Sequence, residues 1–442
     1  MQITRREAAS AVTSALGLAQ VRAQQGERTP AGRRRETHAV WASASDAGTT
    51  VESVRSFVAQ LKRAHIHAVV MNAKETNGSL YWHSKRFPQA ISPRHRDFDM
   101  VANLVREGHD QGIEVHLWLC DFPESQNSAA FREHPAWAQL SPEGKLTNTE
   151  PLFNRQYNSI WMCPAQRPGY TDQWLLPMIE ELASSYAIDG IHHDYVRYCG
   201  DAAPDSYCFC DYCLKQIPRH ALLHWETGPN ERQRVEIVRP RLEANWEATP
   251  DMLPAGWEQY DRREKADLIL NGRTLPGGPP DMRYFFYDYR VDQITRFVRE
   301  AWDRVKRINP RIQLSAAVFK NPIQSGRYLG QKWSDWTSWI DVFMPMNYRS
   351  HFLGDFQTYL DHLTEITARQ LEWTRHEKPL CAGIFTSDLY KEEGQSGGYP
   401  PEKLKRAIDA ARAAKPDGIV LFSAGSLTRQ NLWTTLESVF AD

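Results

Sequence analysis

The 442-residue chain has no apolar stretch long enough to span a bilayer. It has no excess of either charge: 53 Lys and Arg face 54 Asp and Glu, for a formal net charge of −1. Binding to nucleic acid or to an anionic membrane through bulk charge is therefore excluded. There is no internal repeat beyond a strand–helix alternation and no sign of a second independent domain. Cysteine is scarce, with seven in all, yet three of them fall within six residues at Cys208, Cys210 and Cys213. Aromatic residues, by contrast, are plentiful at 11% with 15 Trp, which serve cores and sugar-binding clefts alike.

The N-terminus reads as a targeting segment. Thr4-Arg5-Arg6-Glu7 precedes a mildly apolar run from Ala8 to Ala19, and Val21-Arg22-Ala23 supplies small residues for cleavage. Paired arginines before such a run predict a twin-arginine-type signal over 1–23, hence export to the periplasm or beyond. Residues 24–36 then predict a disordered lead-in.

Eight β-like runs follow, most separated by helical patterns: 38–44, 67–73, 114–122, 189–195, 313–319, 342–348, 379–386 and 418–424. Helical spacing covers 51–64, 100–111 (stopped by Gly112), 173–186, 292–308 and 401–414. This alternation predicts an α/β fold, a (β/α)8 TIM barrel over 37–442. Two long loops break the rhythm, one after the third strand at about 123–168 and one after the fourth, an insertion at about 199–287. Loops on that face shape the cleft.

In a barrel, polar residues just past each strand converge on one space. The most informative strand end is the fourth, Ile188 to Tyr198 (IDGIHHDYVRY). Leaving together, an Asp, an Arg and two Tyr are costly to bury and cheap where the strand opens into a polar pocket. Asp194 is therefore the first candidate for a catalytic carboxylate, with Glu75, Asp121 and Asp388 from strands two, three and seven as candidate partners. Two carboxyl groups flanking one bond are what glycoside hydrolysis needs, one as proton donor and one as nucleophile or base. Lys74, Trp118, Tyr195, Arg197, Tyr198, Lys320, Asn347 and Tyr348 are candidate substrate-binding residues around them. With Asp194 as nucleophile, a retaining mechanism is expected.

The C-x-C-x2-C run of Cys208, Cys210 and Cys213 suits tetrahedral zinc better than disulfides. Cys199, nearest in sequence, is the expected fourth ligand, with Cys163 and Cys120 as alternatives from the same barrel face. The zinc is expected to be structural and to pin the loop after strand four. A metal loaded before export is compatible with a route that carries folded proteins.

Asp189 to Tyr198 (DGIHHDYVRY) resembles the DGIHxDYxRYP signature of the bacterial glycosyl-hydrolase-like family 10 proteins. His38-Ala39-Val40-Trp41 resembles that family's opening strand, and Trp333, Trp336, Trp339-Ile340-Asp341 and Pro345-Met346-Asn347-Tyr348 resemble its late tryptophan-rich block. The likeness spans roughly 37–425 and departs at Cys199, where the family has Pro. It implies an exported barrel glycosidase acting on a carbohydrate, with Asp194 functional and the proton donor left open. The cysteine run is similar to the zinc cluster of family 42 β-galactosidases, in which a cysteine from an earlier barrel loop completes the set; that likeness favours Cys120 or Cys163 over Cys199. Strands five and six carry no carboxylate at their ends, which leaves a non-catalytic carbohydrate-binding barrel as the alternative. A catalytic metal is disfavoured, because strand one has no paired histidines and the cysteines would close a site.

Overall fold

The computed structural model describes residues 36–149, 159–200, 206–226, 256–271, 282–392 and 398–441. The expected export signal lies outside them, as does the lead-in up to residue 35 and much of the insertion after strand four. Among the described residues no helix is long and apolar enough to cross a membrane.

Eight parallel strands close into a barrel. They are β1 (Thr37–Ala42), β2 (Ala68–Lys74), β3 (Glu114–Cys120), β4 (Gly190–Asp194), β5 (Gln313–Phe319), β6 (Val342–Met346), β7 (Cys381–Phe385) and β8 (Gly418–Phe422). Each pairs with its sequence neighbours, and β1 closes on β8 from Thr37↔Gly418 to Trp41↔Phe422. The (β/α)8 fold read from the alternation is therefore correct. Several apolar runs overshoot the observed strands because their last residues leave the ladder.

The main helices are α1 (Val51–Arg63), α2 (Met100–Asp110), α3 (Leu176–Ser185), α4 (Asp211–Glu226), α5 (Met282–Ile308), α6 (Pro322–Leu329), α7 (Phe356–Trp373) and α8 (Pro401–Ala413). Their starts are chemically marked. Thr50 accepts from the Ser53 amide, Asp99 from Ala102, Asn321 from Ile323 and Asp355 from Thr358. Each such cap is worth about 1 kcal/mol. α5 begins ten residues before the expected 292, and α6 and α7 were not anticipated.

Strand alternation divides two cores. Val40, Val69, Leu117, Ile191 and Leu314 face the helices in the large outer core. Ala39, Trp41, Val70, Trp118, Cys120, Ala317 and Met344 fill the barrel. Across that interior the Trp41 indole donates to His192 Nε2 at 3.0 Å, and His192 Nδ1 meets Ser315 Oγ at 2.8 Å. Burial holds His192 well below the usual imidazole range, so it is neutral and shares its Nδ1 proton with Ser315. Gly383 leaves the room: a Cβ there would come within 3.1 Å of the Trp41 ring and 2.5 Å of the Pro345 carbonyl.

Candidate active site

Asp194 is the last residue of β4, in register with Cys120 of β3. The chain turns at once, because Tyr195 adopts φ of +52°, a left-handed conformation that costs a non-glycine residue about 1–2 kcal/mol. The turn aims the Tyr195 amide at the Asp194 carboxyl, 2.6 Å away. Burial pushes the Asp194 pKa up to about 7, against the opposing pull of that amide, Arg197 and the Trp118 indole; the charge of Asp121 adds to the rise.

Glu75 follows the end of β2, where Lys74 pairs with Leu119 of β3. Its carboxylate accepts from the Thr76 amide at 3.0 Å and the Thr76 hydroxyl at 3.2 Å. Asp194 and Glu75 both act on the buried Cys120 thiol, which burial, then Asp194, then Glu75 raise far above its usual range. Three adjacent strand ends thus place a carboxyl on each side of one thiol. Tyr81, unnoticed in the sequence, joins them: burial, Glu75 and Cys120 raise its pKa to about 12, so it stays a phenol.

Arg197 is held between rings, with its guanidinium 4.6 Å from the Trp161 centroid, 5.2 Å from Tyr195 and 5.3 Å from Phe319. Trp161 was also missed. It lies in a two-residue strand, Ile160–Trp161, paired with Pro123–Glu124 inside the loop after β3. Its one sequence signal is its place two residues before Cys163. Tyr348 stacks on Phe422 at 5.8 Å and His351 at 5.3 Å, and Phe422 meets Trp118 at 6.2 Å. These rings line the mouth.

Several expected residues lie elsewhere. Asp121 is fully buried on the outer face of the sheet, where both its oxygens contact His193 Nδ1, at 3.0 and 3.3 Å, and His193 packs on Phe297 of α5. Lys74 is fully buried too, bonded to the Cys120 and Pro123 carbonyls and paired with Glu124 at 3.1 Å. Tyr170 completes this cluster by donating to Glu124 at 2.7 Å. Strand parity explains Asp121, since Cys120 points into the barrel, and a register shift between Asn72 and Lys74 explains Lys74. Asn347 is locked into a reciprocal amide pair with Gln370 of α7, at 2.8 and 2.9 Å. Tyr198 is fully buried under Arg290, whose guanidinium is 4.9 Å from its ring. These four side chains are corrected to structural positions. Asp388 accepts from the Ser350 amide at 2.9 Å and belongs to the β6–β7 side of the rim. Lys320 bonds the His351 carbonyl there.

The fourth cysteine is Cys163, not Cys199. Cys163, Cys208, Cys210 and Cys213 are all buried, and their sulfurs lie within 4.8 Å of one another. Cys163 to Cys213 measures 3.5 Å and Cys210 to Cys163 3.8 Å. Tetrahedral Zn–S bonds of about 2.3 Å imply sulfur spacings of about 3.8 Å, so the set fits a closed metal site. Burial opposes a thiolate at Cys163, but its three thiol neighbours outweigh that and hold it low, while Cys208 and Cys213 move up. Cys199 instead directs its amide to the side-chain oxygen of Gln139 at 3.3 Å. The cluster joins the loop after β3 to the loop after β4. It thus ties the loop that carries Trp161 to the loop that carries Arg197.

Residues 53–195 match the family model described as hypothetical glycosyl hydrolase 6. The match supports a glycosidase-like family over that part of the chain and does not support family 10 in particular. No curated protein shows significant similarity. The fold is similar to a β-galactosidase from Bacillus circulans sp. alkalophilus, with a TM-score of 0.58 at 12% identity over 92% of this chain and 56% of that one. A family 42 β-galactosidase from G. stearothermophilus gives 0.58 at 11%, over 92% and 56%. The α-L-fucosidase isoenzyme 2 from Paenibacillus thiaminolyticus gives 0.55 at 16%, over 93% and 49%. The chain thus spans about half the length of these structures. It shares their barrel fold, and its own residues 53–195 match a glycosyl hydrolase family model.

Proposed function

We propose that the barrel mouth hydrolyses glycosidic bonds, with Asp194 as proton donor and Glu75 as the partner carboxylate. The observation that carries this reading is the Asp194 carboxyl, buried enough to stay protonated to about pH 7 beside a second carboxyl across Cys120. A donor must hold its proton at working pH, whereas a nucleophile must be ionised. Burial therefore argues against the nucleophile role first expected for Asp194 and for the role of acid. Arg197 with Trp161 and Tyr195 forms one wall, Phe422 and Tyr348 the other. Aromatic faces of this kind stack on sugar rings.

The four cysteines would hold one structural zinc. Four thiolates close the coordination shell, so the metal would fix the two loops and take no part in the chemistry. Export by the twin-arginine route remains our proposal for Arg5-Arg6 and the run behind them.

The test is release of new reducing ends from a panel of cell-wall and plant glycans by the purified protein. The wild type should release them from at least one glycan, and Asp194→Asn should not. Glycan binding without turnover by the wild type, surviving Asp194→Asn, would instead support a non-catalytic binding barrel.

A further inference from the structure

Beside the mouth lies a groove that the carboxyl pair does not use. It has a volume of about 490 Å³ and runs between the start of α6, the turn after β6 and α7. Lys320, His351, Phe352, Leu353, Arg369 and Trp373 are among its walls. A smaller cavity of about 150 Å³ adjoins it and shares Lys320 and His351, adding Phe319 and Tyr328.

Three features distinguish this groove. First, Lys320 is a half-buried cation with no carboxylate paired to it among the described residues. Its ammonium bonds the His351 carbonyl and lies 4.1 Å over the Phe352 ring. Burial lowers its pKa, as expected for a charge short of counter-charge. The groove's own acid, Glu365, already faces Arg369 at 3.8 Å and His362 at 4.0 Å. Second, the rim is apolar. Leu353 is 92% exposed and Tyr328, in the adjoining cavity, 43%, two of the seven large hydrophobic side chains exposed among the described residues. Such clustering on one rim marks a binding surface. Third, packed rings link the walls of the groove to the mouth. Phe319 touches Arg197 on one side and His351 on the other, 5.3 and 5.8 Å away. His351 stacks on Tyr348, which leads through Phe422 to Trp118 and Asp194.

We infer that this groove is a distal subsite for a carboxylate-bearing sugar, a uronate, of the same glycan chain that is cut at Asp194. The inference rests on the mouth being a glycan-cleaving site. Aromatic rings offer the sugar its stacking faces, and Lys320, backed by Arg369, offers the counter-charge that a neutral sugar would leave unused.

Saturation-transfer NMR titrations of the full chain with D-galacturonate and D-glucuronate, against galactose and glucose at one pH and salt, test it. The uronates should bind about tenfold or more tightly than the neutral sugars, the worth of one charge-assisted hydrogen bond. Lys320→Gln should erase that preference, and Asp194→Asn should leave it intact. Arg369→Gln, at an exposed position, should weaken it and serves where Lys320→Gln fails to fold. Equal binding of charged and neutral sugars, or a preference that survives Lys320→Gln and Arg369→Gln, would overturn the inference. A uronate preference in a protein that cuts no glycan would keep the groove and sink the hydrolase reading. Glycan cleavage without any uronate preference would sink the groove alone.

Discussion

The Asp121 amide donates to the Asp194 carbonyl at 2.9 Å, yet the two carboxyl groups serve opposite faces of the sheet. Asp194 opens to the mouth, while Asp121 is shut behind the barrel against His193. Breaking a buried pair of this kind costs about 3–5 kcal/mol. Asp121→Ala should therefore lower the thermal midpoint by several degrees while the folded fraction keeps its turnover. Asp194→Asn should do the reverse. Calorimetry and turnover on the same preparations separate the two, and an Asp121→Ala protein of normal stability but no activity would move Asp121 back into the site.

The raised Asp194 pKa also bears on stability. Its folded value, about 7, lies above the ordinary 3.8, so the folded state binds the proton more tightly than the unfolded chain. Its stabilising contribution is complete below about pH 4 and is lost as pH rises toward 7, at up to about 1.4 kcal/mol per pH unit. Asp194→Asn removes this loss. Urea denaturation should find the variant gaining on the wild type between pH 4 and 7 and level beyond. A difference that does not change with pH would contradict the burial of this carboxyl.

Metal removal gives a third expectation. The purified chain should carry one zinc, and Cys163→Ser or Cys210→Ser should lose zinc and thermal stability together, with activity falling as the loops bearing Trp161 and Arg197 loosen. Cys199→Ser should keep the full zinc content. Metal analysis by mass spectrometry decides it: zinc retained in Cys163→Ser and lost in Cys199→Ser would reverse the assignment.

The strands were legible because their runs are apolar at the right spacing, and β5 matches its expected residues from 313 to 319. Which strand-end residues enter the mouth was less legible. Asp121 is one residue out of phase with Cys120, and that single step sends it to the outer face; Lys74, two residues after Asn72, reaches that face because the β2–β3 ladder shifts register between them. Applying strand parity to the ends would have removed Asp121, but not Lys74, whose position depends on the bulge. Asn347 depends on Gln370, which lies on a helix absent from the reading, so no local pattern could reveal its burial. Cys163 lies 45 residues before Cys208, whereas Cys199 is only nine away. Closeness in sequence favoured the wrong sulfur, because the loop after β3 brings Cys163 against the loop after β4.

The most direct measurement is the pH profile of kcat/KM on the glycan that the screen identifies, alongside an aryl glycoside of the same sugar with a good leaving group. With Asp194 as proton donor, the rate on the natural glycan should fall as pH rises through about 7. Asp194→Asn should lose that limb and cost about 10²–10⁴-fold on the glycan, but much less on the aryl glycoside, whose departure needs no proton. Glu75→Gln should be slow on both. An Asp194→Asn enzyme that cuts the natural glycan at the wild-type rate with an unchanged profile would contradict the assignment of Asp194 as the catalytic acid.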